Sequence, residues 1–274
     1  MSATLPFVKM HGAGNDFVMV DGRRLPPGGL DTARIAALCD RRRGIGADGL
    51  IVVAPDPAHD FAMTYYNSDG GEAEMCGNGA RCAVAFARAL GLAAGDDCRF
   101  RTRSGPVTGT FHGDEISVQL TPPRDLRLGL DLGPGSPFPA HHAVNTGVPH
   151  LVIPVEDVEA VELSRWGPWL RHHAAFAPAG TNVNWVSAGR GPGAVHRLRT
   201  YERGVEAETF ACGTGASATA LVLCRLGLAA SPVALHTRGG DCLTVTVEEA
   251  DGTTRLHLRG PAVVAFSGEV ASDG

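Results

Sequence analysis

Residues 76–94 read CGNGARCAVAFARALGLAA, and residues 212–230 read CGTGASATALVLCRLGLAA. Cys, Gly, Gly and Ala open both copies in register, and Leu-Gly-Leu-Ala-Ala closes both. The likeness extends outward. Thr64-Tyr65 answers Thr200-Tyr201, Glu72 answers Glu208, and Thr102-Arg103-Ser104-Gly105 answers Thr237-Arg238-Gly239-Gly240. The copies stand about half a chain apart in 274 residues. A period that long describes two similar domains, since solenoid repeats are far shorter. Each domain then presents one cysteine, Cys76 or Cys212, at an equivalent place.

The repeated stretch predicts a helix over residues 79–90 and another over 215–226. Arg81 and Arg88 are the only charges of the first, and Arg225 of the second. A helix without a polar face is buried on most sides. These are too short for a bilayer, so sheet must surround them. Gly91 and Gly227 stand where a left-handed residue ends a helix. Short strands are expected around each helix: residues 7–10, 17–21, 50–54, 61–66, 98–102, 107–111 and 115–120 in the first half, and 151–155, 233–237, 243–248 and 254–258 in the second. A Gly-rich turn is expected over residues 11–15, with His11 structural, and a helix capped by Asp31 over 31–42. The segment 145–150 echoes residues 14–17. The boundary is expected near Thr121-Pro122-Pro123. The fold class is α+β, two pseudo-symmetric domains, each a curled, mostly antiparallel β-sheet around one central α-helix. Residues 1–120 with 261–274 form the first domain, the tail adding a strand, and 121–260 form the second.

Composition narrows the function. Hydrophobic residues make up 44% and charged residues 19%, enough for a sizeable core, and the net charge of −5 gives no cause to expect nucleic acid or an anionic membrane. Arg41-Arg42-Arg43 reads as a solvated helix end or loop. No secretory leader or membrane span is visible, and seven cysteines without regular spacing read as reduced cytoplasmic thiols. No pair has the short C-x-x-C spacing of zinc sites, so no metal is expected. Lys9 is the one lysine, so a pyridoxal-phosphate Schiff base would have to form there, in an N-terminal strand. No cofactor is expected.

Cys-Gly-x-Gly at the mouth of a buried helix has a chemical use. The first turn leaves backbone N–H groups unsatisfied and carries partial positive charge. Glycine lets a carboxylate approach that backbone. The same field favours a thiolate. Two such sites suit acid/base work on opposite faces of one carbon: one thiolate removes the proton next to a carboxylate, and the other thiol returns one. Cys39, Cys82, Cys98, Cys224 and Cys242 lack this setting and are assigned to packing. Lone cysteines at helix starts are commonly packing too; the duplication is what favours chemistry.

The sequence resembles the diaminopimelate epimerase family. The carriers are Lys9-Met-His-Gly-Ala-Gly-Asn-Asp-Phe17, Asn67-x-Asp-Gly, Cys76-Gly-Asn-Gly-Ala-Arg-Cys82, Pro149-His150, Tyr201-Glu-Arg-Gly204 and Glu208-Thr-x-Ala-Cys-Gly-Thr-Gly215. The resemblance implies a cofactor-independent isomerase that converts LL-diaminopimelate to meso-diaminopimelate, in lysine and peptidoglycan biosynthesis. It implies Cys76 and Cys212 as the acid/base pair, with His150 and Glu202 as helpers. It implies Asn15, Asn67, Gly77, Asn78, Asn182, Glu202, Arg203, Gly213 and Thr214 as substrate-binding, Arg203 suiting a distal carboxylate. The implied partner is a small-molecule substrate; the sequence leaves the oligomeric state open, with a homodimer as the candidate assembly. The chain departs from many members at Val148, where they carry Asn, and at Gly49, where they carry Gln. The alternatives are a related cofactor-free proline or histidine racemase, a Cys/His hydrolase with Cys212 as nucleophile, and a non-catalytic binding domain.

Overall fold

The computed structural model describes residues 4–73, 76–189, 191 and 193–271; residues 1–3 and 272–274 of the expected first domain lie outside that set. The chain divides into two compact units, Met1–Val118 with Gly260–Gly274, and Gln119–Arg259.

In the first unit the strands are β1 (Thr4–Gly12), β2 (Asn15–Asp21), β3 (Gly49–Ala54), β4 (Phe61–Asn67), β5 (Glu72–Ala73), β6 (Asp97–Thr102), β7 (Gly105–His112) and β8 (Glu115–Gln119). Helix α1 (Thr32–Cys39) lies between β2 and β3 in sequence, and α2 (Gly77–Ala89) between β5 and β6. Pairing is antiparallel except for β2–β3 and β4–β6, the two pairs joined through a helix. Parallel neighbours need such a crossover.

The second unit repeats this pairing by pairing. Its strands are β9 (Arg124–Arg127), β10 (His142–Asn145), β11 (Pro149–Val155), β12 (Asn182–Ser187), β13 (Val195–Glu202), β14 (Ala207–Thr209), β15 (Val233–His236), β16 (Cys242–Ala250) and β17 (Thr253–Pro261), with α3 (Leu163–Arg171) before β12 and α4 (Gly213–Arg225) before β15. Here too β11–β12 and β13–β15 are parallel and the other pairs antiparallel. Strand β9 flanks β10, and β18 (Val263–Ala271), the tail strand, flanks β1 in the same way.

Each sheet encloses its second helix. Helix α2 packs on β1, β2, β3 and β4, and α4 on β16, β11, β12 and β10. Ala80, Cys82, Ala83, Val84 and Ala87 of α2 are fully buried, as are Ala216, Ala218, Ala220, Val222 and Leu223 of α4. Burying one such Val or Leu contributes about 1.5–3 kcal/mol. The close approach needs glycine. A Cβ on Gly79 would stand 2.8 Å from Ile51 Cδ1, and one on Gly215 2.3 Å from Asn184 Oδ1. The opposite sheet face of the first unit packs on α1 through Val18, Val20, Ile35, Leu38 and Leu50. Its counterpart packs on α3 through Leu151, Ile153, Leu163, Leu170 and Trp185.

Gly91 and Gly227 have φ of 73° and 68° and close both helices as expected. The Gly91 amide bonds Arg88 O and the Leu92 amide bonds Ala87 O, the paired bonds of a Schellman cap, and Gly227 and Leu228 repeat them. Other expectations need correction. Both central helices begin two residues earlier than predicted, directly after the cysteine. Helix α1 ends at Cys39 rather than Arg42, because Asp40 Oδ1 turns back to accept from the Arg42 and Arg43 amides. The first turn is tighter than residues 11–15: Ala13 and Gly14 both have positive φ, 55° and 84°, as a two-residue hairpin requires. Helix α3 had no signal, because Gly167 and Pro168 read as breakers. Gly167 is needed there, since a Cβ would meet the Tyr201 ring at 2.3 Å.

Candidate functional site

Cys76 and Cys212 are the N-caps of α2 and α4, with extended backbones (φ −112° and −123°), and neither side chain caps its own helix. Their carbonyls accept the first helical bonds, from Ala80 at 2.7 Å and Ala216 at 2.8 Å. The amides of Gly77-Asn78 and Gly213-Thr214 thus fall in the first turn, outside the helical ladder, at the positive end of the helix dipole.

In the first unit, Asn15 opens β2 beside this mouth. Its Oδ1 accepts from Cys76 Sγ at 3.5 Å and from Asn78 Nδ2 at 3.3 Å. Its Nδ2 donates to Asp48 Oδ2 at 2.6 Å. Asn78 Oδ1 in turn accepts from Arg81 Nη2 at 3.0 Å. Arg81 is fully buried and also donates to the Gly77 and Pro261 carbonyls. Asp48 and Asp16 share Arg41, whose Nη2 lies 2.8 Å from Asp48 Oδ1 and 2.7 Å from Asp16 Oδ1. Arg41, exposed in the turn after α1 as its triplet suggested, is thus also an ion-pair member. Lys9, buried, pairs with Asp16 at 2.8 Å and donates to the Gly46 carbonyl. Burial pushes the Asp16 carboxyl up, but hydrogen bonds from Arg41 and Lys9 outweigh it and hold Asp16 well below the usual carboxylate range. Asn67 ends β4, exposed, opposite Gly49. A Cβ on Gly49 would stand 2.4 Å from Tyr66 O and 2.6 Å from Tyr65 Cε2, so the Tyr65 ring takes space a side chain at 49 would need.

In the second unit, Cys212 Sγ lies 3.5 Å from Thr214 Oγ1, and Thr146 Oγ1 donates to Thr214 O at 2.9 Å. His150 and Asn182 face each other across β11 and β12. Asn182 Nδ2 donates to Pro149 O, and its Oδ1 accepts the Arg203 amide at 2.8 Å. Arg203 Nη1 reaches Ala179 O at 3.3 Å. Glu202 Oε2 accepts from Thr209 Oγ1 at 2.9 Å. His150 is 1% exposed; burial, then the Arg203 charge, push its pKa down to about 3, so its ring is neutral near pH 7. Asn184 Nδ2 stands 3.1 Å from His150 Nδ1 and also donates to Leu151 O, while its Oδ1 accepts from Thr200. Since the amide nitrogen donates, His150 Nδ1 is the acceptor and Nε2 carries the proton. Nε2 itself is buried with no protein partner.

The first unit thus brings Asn15, Cys76, Gly77 and Asn78 together, with Asn67 outside their hydrogen bonds. The second links Asn182 to Arg203 and Cys212 to Thr214. Asp48, Arg81, Asn184 and Thr146 were not singled out from sequence. Two signals existed: a lone internal charge in an apolar helix for Arg81, and Asn-x-Asn on one strand face for Asn184. Among the remaining cysteines, burial pushes the thiols of Cys39, Cys82 and Cys98 up to about 11, 12 and 11. Cys242 is exposed, so its assignment to packing is wrong; it opens an alternating strand on the outward face. Among the described residues, no cluster of three or more His, Cys, Asp or Glu could hold a metal, and no helix is long and apolar enough to cross a membrane.

Comparison with known proteins gives a consistent result. A protein-family model described as diaminopimelate epimerase matches residues 7–125 and 142–264. A diaminopimelate epimerase of Gemmatimonas aurantiaca is 41% identical over 281 residues, covering 97% of this chain and 99% of that one. One from Aquifex aeolicus is 41% identical over 284 residues, covering 98% and 99%. Among solved structures, a PhzF-family phenazine biosynthesis protein of Bacillus anthracis aligns with a TM-score of 0.75 at 15% identity, covering 97% of this chain and 99% of that one. A hydroxyproline epimerase from Agrobacterium vitis aligns at 0.69 with 15% identity, covering 98% and 91%. At those identities the likeness is one of fold: two-domain α+β.

Proposed function

The chain belongs to the diaminopimelate epimerase family, and we propose that it interconverts LL- and meso-diaminopimelate without a cofactor, with Cys76 and Cys212 as the acid/base pair. One observation carries the assignment of the pair. The two units repeat their strand pairings, and each places a cysteine as the N-cap of its buried helix, beside Gly-x-Gly amides that its own side chain does not cap.

In this reading one cysteine, as thiolate, takes the α-proton, and the other, as thiol, returns one, which inverts the centre. A positioned acid or base contributes roughly 10²- to 10⁴-fold. The Gly77-Asn78 and Gly213-Thr214 amides take the α-carboxylate as it gains enediolate charge; fixed dipoles of this kind are worth most where water is excluded. Asn15, Asn67, Asn182, Glu202 and Arg203 hold the rest of the substrate, with the Arg203 fork suited to the distal carboxylate. His150 is neutral and Nε2-protonated, so as a helper it acts as a hydrogen-bond donor rather than as a cation. We take the two units as the N- and C-terminal epimerase-like domains and the cytoplasm as the compartment. A homodimer is supported by the exposed Val263, Val264 and Phe266 of β18, an edge strand with apolar side chains outward.

The test is epimerisation of LL-diaminopimelate in D₂O against a panel of single-centre amino acids, including proline and histidine. Conversion to the meso isomer with deuterium entering the α-carbon is expected. Preference for a panel member would overturn the substrate, and an acyl-enzyme without α-exchange would overturn the reaction.

A further inference from the structure

In the first unit two amide side chains lie in series between a carboxylate and a guanidinium: Asp48, Asn15, Asn78, Arg81. Asp48 can only accept, so Asn15 must turn its NH₂ toward it, at 2.6 Å. Arg81 can only donate, so Asn78 must turn its carbonyl toward it, at 3.0 Å. Both orientations agree at the centre, where Asn78 Nδ2 donates to Asn15 Oδ1 at 3.3 Å. Neither amide can flip without setting like against like at one end. The Asn15 carbonyl oxygen is thereby left 3.5 Å from Cys76 Sγ, where it can accept a proton but not give one.

We propose that Asp48 and Arg81 are positioning residues whose task is to fix the Asn15 carbonyl on Cys76, so that Cys76 holds its proton at rest. This rests on reading Cys76 as one of the acid/base pair. An acceptor facing sulfur stabilises the thiol and repels the thiolate. The helix mouth acts the other way, favouring the thiolate. Among the described residues, Lys9, Arg41 and Arg81 stand against Asp16 and Asp48 on this side, and Glu72 on β5 lies four residues before Cys76. The further titratable groups on the strands packed on α2 include His11 on β1, Tyr65 and Tyr66 on β4 and His112 on β7, and β3 carries none. On α2 itself, Cys82 stays a thiol through burial. The corresponding neighbour of Cys212 is a hydroxyl, Thr214 Oγ1, which can donate to a thiolate.

The test is the pH dependence of Cys76 alkylation by iodoacetamide in the full chain, followed by peptide mass spectrometry, with Cys212→Ser present so that a single site titrates. Asn15→Ala is expected to lower the midpoint and speed alkylation at pH 7 about three- to ten-fold, the change that half a unit to one unit of acidity gives. Asp48→Asn is expected to shift it the same way in the parent but to add nothing in the Asn15→Ala background, because its effect passes through the amide. An unchanged or raised midpoint in Asn15→Ala overturns the proposal. So does an Asp48→Asn shift that persists undiminished in the double variant, which would mark simple charge. Asn15→Leu, which also lacks an acceptor, repeats the first arm should the alanine variant not fold. The titration reads the thiol directly, so it can fail while catalysis by Cys76 stands, and it can succeed if Cys76 proves not catalytic.

Discussion

The two helix mouths share a backbone and differ in how their polar groups are arranged. In α2 the fifth residue after the cysteine is Arg81, fully buried and bonded to Asn78, Gly77 and Pro261; in α4 it is Ser217, whose hydroxyl returns to Gly213 O. The first mouth is ringed by ions: Lys9, Asp16, Arg41 and Asp48. In the second, the groups bonded beside the helix are neutral, Asn184, Thr200, Thr146 and a neutral His150, and the charges are Glu202 and Arg203 on the neighbouring strand end. Duplication preserved the scaffold that aims each cysteine, and the side chains around it diverged. A substrate with one reacting centre and one distal end needs such a difference.

Removing the difference should be costly. Arg81→Ser gives α2 the residue of α4, but it strips a buried polar cluster of its cation and leaves a cavity. Stability should fall by about 3–5 kcal/mol in urea unfolding. A loss below about 1 kcal/mol would mean that the buried charge does not distinguish the halves. The neutral half should show itself in acid. His150 has its folded pKa pushed down from 6.5 to about 3, so below pH 6.5 the unfolded chain binds a proton that the folded chain refuses. Stability from this group is full above pH 6.5. It is lost at up to about 1.4 kcal/mol per pH unit as pH falls toward 3. His150→Gln should flatten that part of the profile, and an unchanged slope would place the acid sensitivity elsewhere. The smallest effect is expected at Gly49. Gly49→Ala should cost about 1–3 kcal/mol by overpacking against Tyr66 O and Tyr65, read as a lowered urea midpoint at an unchanged slope. A neutral result would show that Tyr65 yields readily.

Much of this scaffold was legible in the chain. The repeat located both central helices, their glycine caps and most of the strands, because apolar periodicity and positive-φ glycines are local signals. The helix starts were placed two residues late because Gly77 and Gly213 read as loop; only the surrounding sheet makes those glycines helical. Helix α3 was hidden behind Gly167 and Pro168, whose local preference the Tyr201 ring overrides. Of the candidate site residues, Cys76, Cys212 and their glycines drew notice because they recur. Asp48, Arg81 and Asn184 have no counterpart in the other half to draw notice, and which way an amide turns depends on what the fold sets beside it. Cys242 was misplaced because cysteine is usually buried, and this one begins a strand on its exposed face.

The central claim is that one thiol from each half is required. It is tested most directly by the rate of LL- to meso-diaminopimelate conversion in Cys76→Ala and in Cys212→Ala, each checked for an unchanged unfolding midpoint. Each substitution alone should lower the rate at least about 10²-fold, the lower range of acid–base assistance. If either variant kept a rate within a few-fold of the parent, the duplicated cysteines would not be the acid/base pair.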